Sequence, residues 1–91
     1  MNKVFLIGKI ITEIEFKFII NSKNISIASF KVETLDKQII QIRAYNETAD
    51  YVYSKFYKND WINIEGKLEK DSVVIVNVNC LWKLAVWHWL C

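Results

Sequence analysis

Residues 38–68 read Q-I-I-Q-I-R-A-Y-N-E-T-A-D-Y-V-Y-S-K-F-Y-K-N-D-W-I-N-I-E-G-K-L, and within them the spacing of apolar side chains changes twice. In Gln38 to Tyr45, Ile40, Ile42 and Ala44 point one way while Gln41, Arg43 and Tyr45 point the other, the two-residue period of a half-buried strand. Next, Ala49, Val52, Tyr53 and Phe56 fall at i, i+3, i+4 and i+7. This predicts a helix of about three turns, with Asn46 as its N-cap and Asn59-Asp60 as its stop. Alternation then resumes, with Ile62, Ile64, Gly66 and Leu68 opposing Trp61, Asn63, Glu65 and Lys67. The stretch therefore predicts strand, helix, strand.

Outward from this stretch the two-residue period dominates. Upstream, N-K-V-F-L-I-G-K-I-I at residues 2–11 sets Val4, Leu6, Gly8 and Ile10 against Lys3, Phe5, Ile7 and Lys9. An extended, polar-punctuated run follows through Glu13, Glu15 and Lys17, ending at the turn cluster Asn21-Ser22-Lys23-Asn24. Ser26, Ala28, Phe30 and Val32 then alternate with Ile25, Ile27, Ser29 and Lys31, and a short polar link spans Glu33 to Lys37. Downstream, a turn at Glu69-Lys70-Asp71 leads into S-V-V-I-V-N-V-N-C at residues 72–80, dense in β-branched side chains. Counting the bent first strand once, the order is three strands, one helix, two strands. That is the connectivity of the OB-fold, a mainly β, five-stranded Greek-key barrel with one helix between its third and fourth strands. Residues 1–81 are expected to form this domain and residues 82–91 an apolar, tryptophan-rich extension.

Composition bounds the function. Ninety-one residues suffice for one domain, and 53% apolar content with 2 Gly and 0 Pro supports one packed core. The net charge of +2 is too small to identify a polyanion partner by bulk electrostatics, so any nucleic-acid footprint must be local. Cys80, Cys91 and the single His88 do not assemble a zinc spacing or a nucleophile pair, and no metal or cofactor is expected. The carboxylates are scattered singly and no Gly-rich phosphate loop occurs, so neither catalysis nor a small-molecule substrate is expected. Without a signal-like or membrane-spanning apolar run, a cytoplasmic chain is expected, in which a disulfide is disfavoured.

Four short motifs narrow the reading: M-N-K-V-F-L-I-G-K-I at the start, E-F-K-F at Glu15 to Phe18, I-A-S-F at Ile27 to Phe30, and I-N-I-E-G-K-L at Ile62 to Leu68. In this order the chain resembles the bacterial single-stranded DNA-binding protein (SSB) family over roughly residues 1–80. The resemblance implies non-sequence-specific binding of single-stranded DNA in replication, recombination or repair, by base stacking and phosphate neutralisation. It also implies a homo-oligomer, dimer or tetramer, paired through first strands at Asn2, Lys3, Val4, Phe5, Leu6 and Ile7.

The chain also departs from that family. The two long loops that help the family wrap DNA have shrunk to Glu33 to Lys37 and Glu69 to Asp71, and most stacking tryptophans go with them. The one opening the third strand aligns with Ile39, and only the aromatic ending that strand remains, as Tyr45. At about 1–3 kcal/mol per stacked base, weak or short-site binding is expected. In place of the family's acidic tip stands L-W-K-L-A-V-W-H-W-L-C, whose Trp82, Trp87 and Trp89 are expected at the oligomer interface.

Candidate DNA contacts follow from residues and resemblance together. Gln41, Arg43 and Tyr45 share one strand face, and Lys67 occupies a polar position beside a glycine. Lys9 matches the basic residue after the first family glycine, and Lys17 with Phe18 matches the basic-aromatic pair closing the bent first strand. Gly8 and Gly66 are expected to permit strand bends or close backbone approach. Two other readings share the fold: an accessory protein resembling the primosomal replication protein N family, and an OB assembly subunit that has lost DNA binding.

Overall fold

The computed structural model describes residues 2–20 and 24–80, together with the backbone but not the side chain of Cys80. The turn at Asn21-Ser22-Lys23 and the extension with Trp82, Trp87 and Trp89 lie outside the described residues, as does the domain boundary after residue 81.

The alternating segments form β1 (Val4–Ile10), β2 (Glu15–Ile19), β3 (Ile25–Thr34), β4 (Ile39–Tyr45), β5 (Trp61–Glu69) and β6 (Ser72–Cys80), with α1 (Asn46–Lys55) between β4 and β5. β1 and β2 are the two arms of the bent first strand, and β3 pairs antiparallel with both, Gly8 opposing Thr34 and Glu15 opposing Ser29. Lys31 fastens the bend, since its carbonyl accepts from the Ile11 N–H at 2.9 Å and its N–H donates to Thr12 Oγ1 at 3.0 Å. β4 lies on the other edge of β3 and runs parallel to β6. β6 is antiparallel to β5, which is antiparallel to β1. Because β1 bonds to both β3 and β5, the sheet closes into a barrel. With β1 and β2 counted as one bent strand, this is the expected five-stranded OB barrel with its helix between the third and fourth strands.

One face of every strand fills the interior. Ile10, Ala28, Phe30, Val32, Ile42, Ala44, Ile62, Ile64, Val73, Ile75 and Val78 are buried there, joined by Ala49, Val52 and Phe56 from the helix side. Truncating one of the fully buried isoleucines to alanine costs about 2–5 kcal/mol in such a setting. Both glycines mark close backbone approach. A Cβ at Gly8 would sit 2.9 Å from the Glu33 carbonyl oxygen, and one at Gly66 would run into the Val74 carbonyl oxygen.

Local details differ from the periodic reading. A bulge at Glu65/Gly66 leaves Val76 as an extra residue on β6, between Ile75 opposite Gly66 and Asn77 opposite Glu65. Strict alternation therefore fails on β6, where Val76 and Asn77 both face outward; Leu68 keeps to the side of Val73, its partner on β6, but near the end of β5 it is 53% exposed. Glu33 and Thr34 extend β3, so the link to β4 is shorter than the composition implied. Asn46 does not cap α1; it takes φ 55, which asparagine tolerates, and Tyr45 precedes the helix without a side-chain cap bond. Tyr53 is largely exposed, although its ring stacks on Phe16 at 4.8 Å.

Candidate nucleic-acid interface

Strand register determines which outward side chains become neighbours, because residues paired across a sheet project to the same side. One row runs Glu15–Ser29–Arg43–Val74–Lys67 across β2, β3, β4, β6 and β5. A second runs Lys17–Ile27–Tyr45, and a third Lys31–Gln41–Ser72–Glu69. Lys17, Gln41, Arg43, Tyr45 and Lys67 therefore share the outer surface of one side of the barrel. Lys17, Arg43 and Lys67 are exposed, whereas Gln41 and Tyr45 are half-buried.

Gln41 is partly committed. Its side-chain amide donates to the Phe30 carbonyl at 3.2 Å and the Ile42 carbonyl at 3.3 Å, leaving the amide oxygen as the atom available to a ligand. Beside it, where β1 bends into β2, lies an open groove of about 410 Å³ lined by Thr12, Glu13, Glu15, Ser29, Phe30, Lys31 and Gln41. Two carboxylates, Glu13 and Glu15, flank this end of the surface, and Glu69 follows Lys67 on the same side of β5.

The remaining candidates lie elsewhere. Lys9 projects from β1 between Glu33 of β3 and Trp61 of β5, one strand edge away from the rows above. Phe18 and Lys17 are adjacent on β2 and so project to opposite sides. Phe18 shares its side with Phe16, which packs against the core and Tyr53, and it stands 55% exposed. The basic-aromatic pair is thus split between two surfaces. Lys31 and Ser29 line the groove although neither was singled out; strand alternation placed both outward, but only the register sets Lys31 beside Gln41.

β1 presents a different surface. Phe5 and Ile7 are 66% and 41% exposed, with Asn63, Glu65, Asn77 and Asn79 beside them, and Lys3 pairs with Glu65 at 3.3 Å. Val4 and Leu6 turn inward onto the core, while Asn2 anchors the chain end through two bonds to the Leu68 backbone, at 2.7 and 3.0 Å. Among the described residues, β1 from Val4 to Ile7 pairs with β5 only, because its contact with β3 begins at Gly8.

Among the described residues, no helix is long and apolar enough to cross a membrane. No family model matches the sequence, and no curated protein matches it. Solved structures do. The SSB domain of a Synechococcus sp. protein superposes with a TM-score of 0.77 at 14% identity, covering 86% of this chain and 93% of that one. The wild-type single-stranded DNA-binding protein from Thermus aquaticus gives 0.79 at 15% identity, covering 89% of this chain and 40% of that one. A deletion mutant of the same Thermus protein gives 0.79 at 15% identity, covering 89% of this chain and 41% of that one. Barrel closure, the position of the helix and these superpositions together establish that the chain has the OB fold found in single-stranded DNA-binding proteins.

Proposed function

We propose that the chain is a noncatalytic, cytoplasmic protein that binds single-stranded DNA without sequence preference and serves replication, recombination or repair. The observation that carries this reading is the convergence of Lys17, Arg43, Tyr45 and Lys67 on one outer face of an SSB-like barrel. The cations neutralise phosphates, while the Tyr45 ring offers a platform on which any base can stack. Gln41 accepts a hydrogen bond from a base or sugar through its free amide oxygen. Lys9 contacts the strand as it leaves this face, whereas Phe18, on the other side of β2, lies off the track.

With Tyr45 the one stacking aromatic among the described residues of the main face, a single copy grips a strand weakly, and affinity comes from linking copies. The open edge of β1 between Val4 and Ile7, with Phe5 and Ile7 exposed beside it, supports pairing of two copies there. The tryptophan-rich segment adds apolar area to that assembly.

The test is an equilibrium titration of the full chain with dT oligonucleotides and with duplex DNA of equal length, at low and moderate salt. Single strands should bind, more tightly with increasing length, and should lose affinity steeply as salt rises, while duplex binds poorly. Absence of any complex at low salt with micromolar protein would favour the assembly-subunit reading.

A further inference from the structure

β2 has a second open edge with its own chemistry. Among the described residues, Glu15–Ile19 pairs with β3 alone, so the opposite edge of β2 presents unpaired backbone groups. We propose that this edge pairs antiparallel with β2 of a second copy about a two-fold axis, with Phe16 opposite Phe16 of the copy.

Three observations select this occupant and register. First, antiparallel pairing about Phe16 sets Glu15 against Lys17 of the copy and Lys17 against its Glu15, giving two opposite-charge pairs on the outer face. Pairing about Lys17 would instead place like charges in contact. Second, the same register sets Ile14 against Phe18 of the copy. Ile14 lines a hollow of about 340 Å³ with Glu13, Tyr53, Phe56, Tyr57 and Lys58, large enough to receive an aromatic ring. Phe18, 55% exposed on its own subunit, is the ring that fits, and symmetry makes the insertion reciprocal. Third, exposed Tyr53 and Tyr57, at 53% and 68%, supply an aromatic rim that a second β2 would cover.

The contact has a consequence that rests on the DNA-binding reading. A two-fold axis perpendicular to the sheet keeps both outer faces on the same side. The row Tyr45–Ile27–Lys17 of one copy then continues into Glu15–Ser29–Arg43–Val74–Lys67 of the next. Glu15, which would otherwise repel phosphate, is neutralised by Lys17 of the copy. In the assembly Arg43 and Lys67 of each copy therefore remain to meet phosphates, and the two faces, each with Tyr45, become one track.

The self-association is testable without DNA, so its failure is separable from failure of the DNA reading. Sedimentation velocity over a wide concentration range would compare the full chain with Glu15→Lys, Lys17→Glu, the double reversal, Phe18→Ser and, as a marker of the β1 edge, Phe5→Ser. Either single reversal, and Phe18→Ser, should raise the concentration at which an assembly step occurs by about tenfold or more. The double reversal should restore it to within about twofold. The proposal is overturned if these β2 variants all match the parent, if only Phe5→Ser lowers the mass, or if the double reversal is no better than the singles. Equilibrium melts of the same variants, unchanged from the parent, would confirm that the shifts reflect association.

Discussion

Two outer surfaces of one barrel differ in what they can hold. Over β3, β4, β6 and β5 the outward residues are Ser29, Arg43, Val74 and Lys67, with Tyr45 and Gln41 in flanking rows. Over the first half of β1, Val4 to Ile7, the outward residues are Phe5 and Ile7, bordered by Asn63, Glu65, Asn77 and Asn79. The first surface offers cations and a ring, the needs of a flexible polyanion with stackable bases. The second offers apolar area beside an open strand edge and suits another protein surface. The same alternation that builds the core builds both, so the difference lies entirely in which side chains occupy the outward positions.

The largest separation between the surfaces comes from Arg43→Ala with Tyr45→Ala. This double variant should weaken a short dT complex by roughly 2–5 kcal/mol, leaving stability within about 1 kcal/mol of the parent and oligomeric mass unchanged. A large drop in melting temperature would place Tyr45 in the core instead. Phe5→Ser is the reciprocal experiment: it should lower the mass seen by light scattering, at a cost of about 1.5–3 kcal/mol in association, with short-oligonucleotide affinity preserved. Gly66→Val acts on the barrel both surfaces share. A side chain there meets the Val74 backbone, and denaturant unfolding should show a loss of about 1–3 kcal/mol. The smallest effect belongs to Lys67→Ala, which should weaken binding equally for all sequences and flatten the salt dependence by about 0.7 of a logarithmic unit per decade of salt.

Much of the barrel was legible in the sequence because its core side chains obey a strict period. The even-numbered residues from Ser26 to Val32, then Ile42 and Ala44, then Ile62 and Ile64 are buried as alternation requires. Alternation failed where register shifts. The bulge that turns Val76 outward depends on how Gly66 meets β6, a tertiary fact with only the glycine as its local signal. The site was legible in part for the same reason. Arg43 and Tyr45 share a face by period alone, but their alignment with Lys17 and Lys67 depends on pairings between distant segments. Reading Lys17 and Phe18 as a pair followed family resemblance against the period of the strand, and the strand sends them to opposite sides. The capping role of Asn46 failed because the chain enters the helix directly from β4, with Asn46 itself making the turn at positive φ.

The most direct test of where DNA lies is photo-crosslinking of the full chain to a short dT oligonucleotide carrying one 5-bromodeoxyuridine, followed by mass spectrometry of the adducts. Stacking on the polar surface predicts an adduct at Tyr45 that is lost in Arg43→Ala with Tyr45→Ala. Adducts confined to Phe5 and its neighbours on β1, or to Trp82, Trp87 and Trp89, with Tyr45 unmodified, would contradict the account and move the DNA to the apolar surfaces.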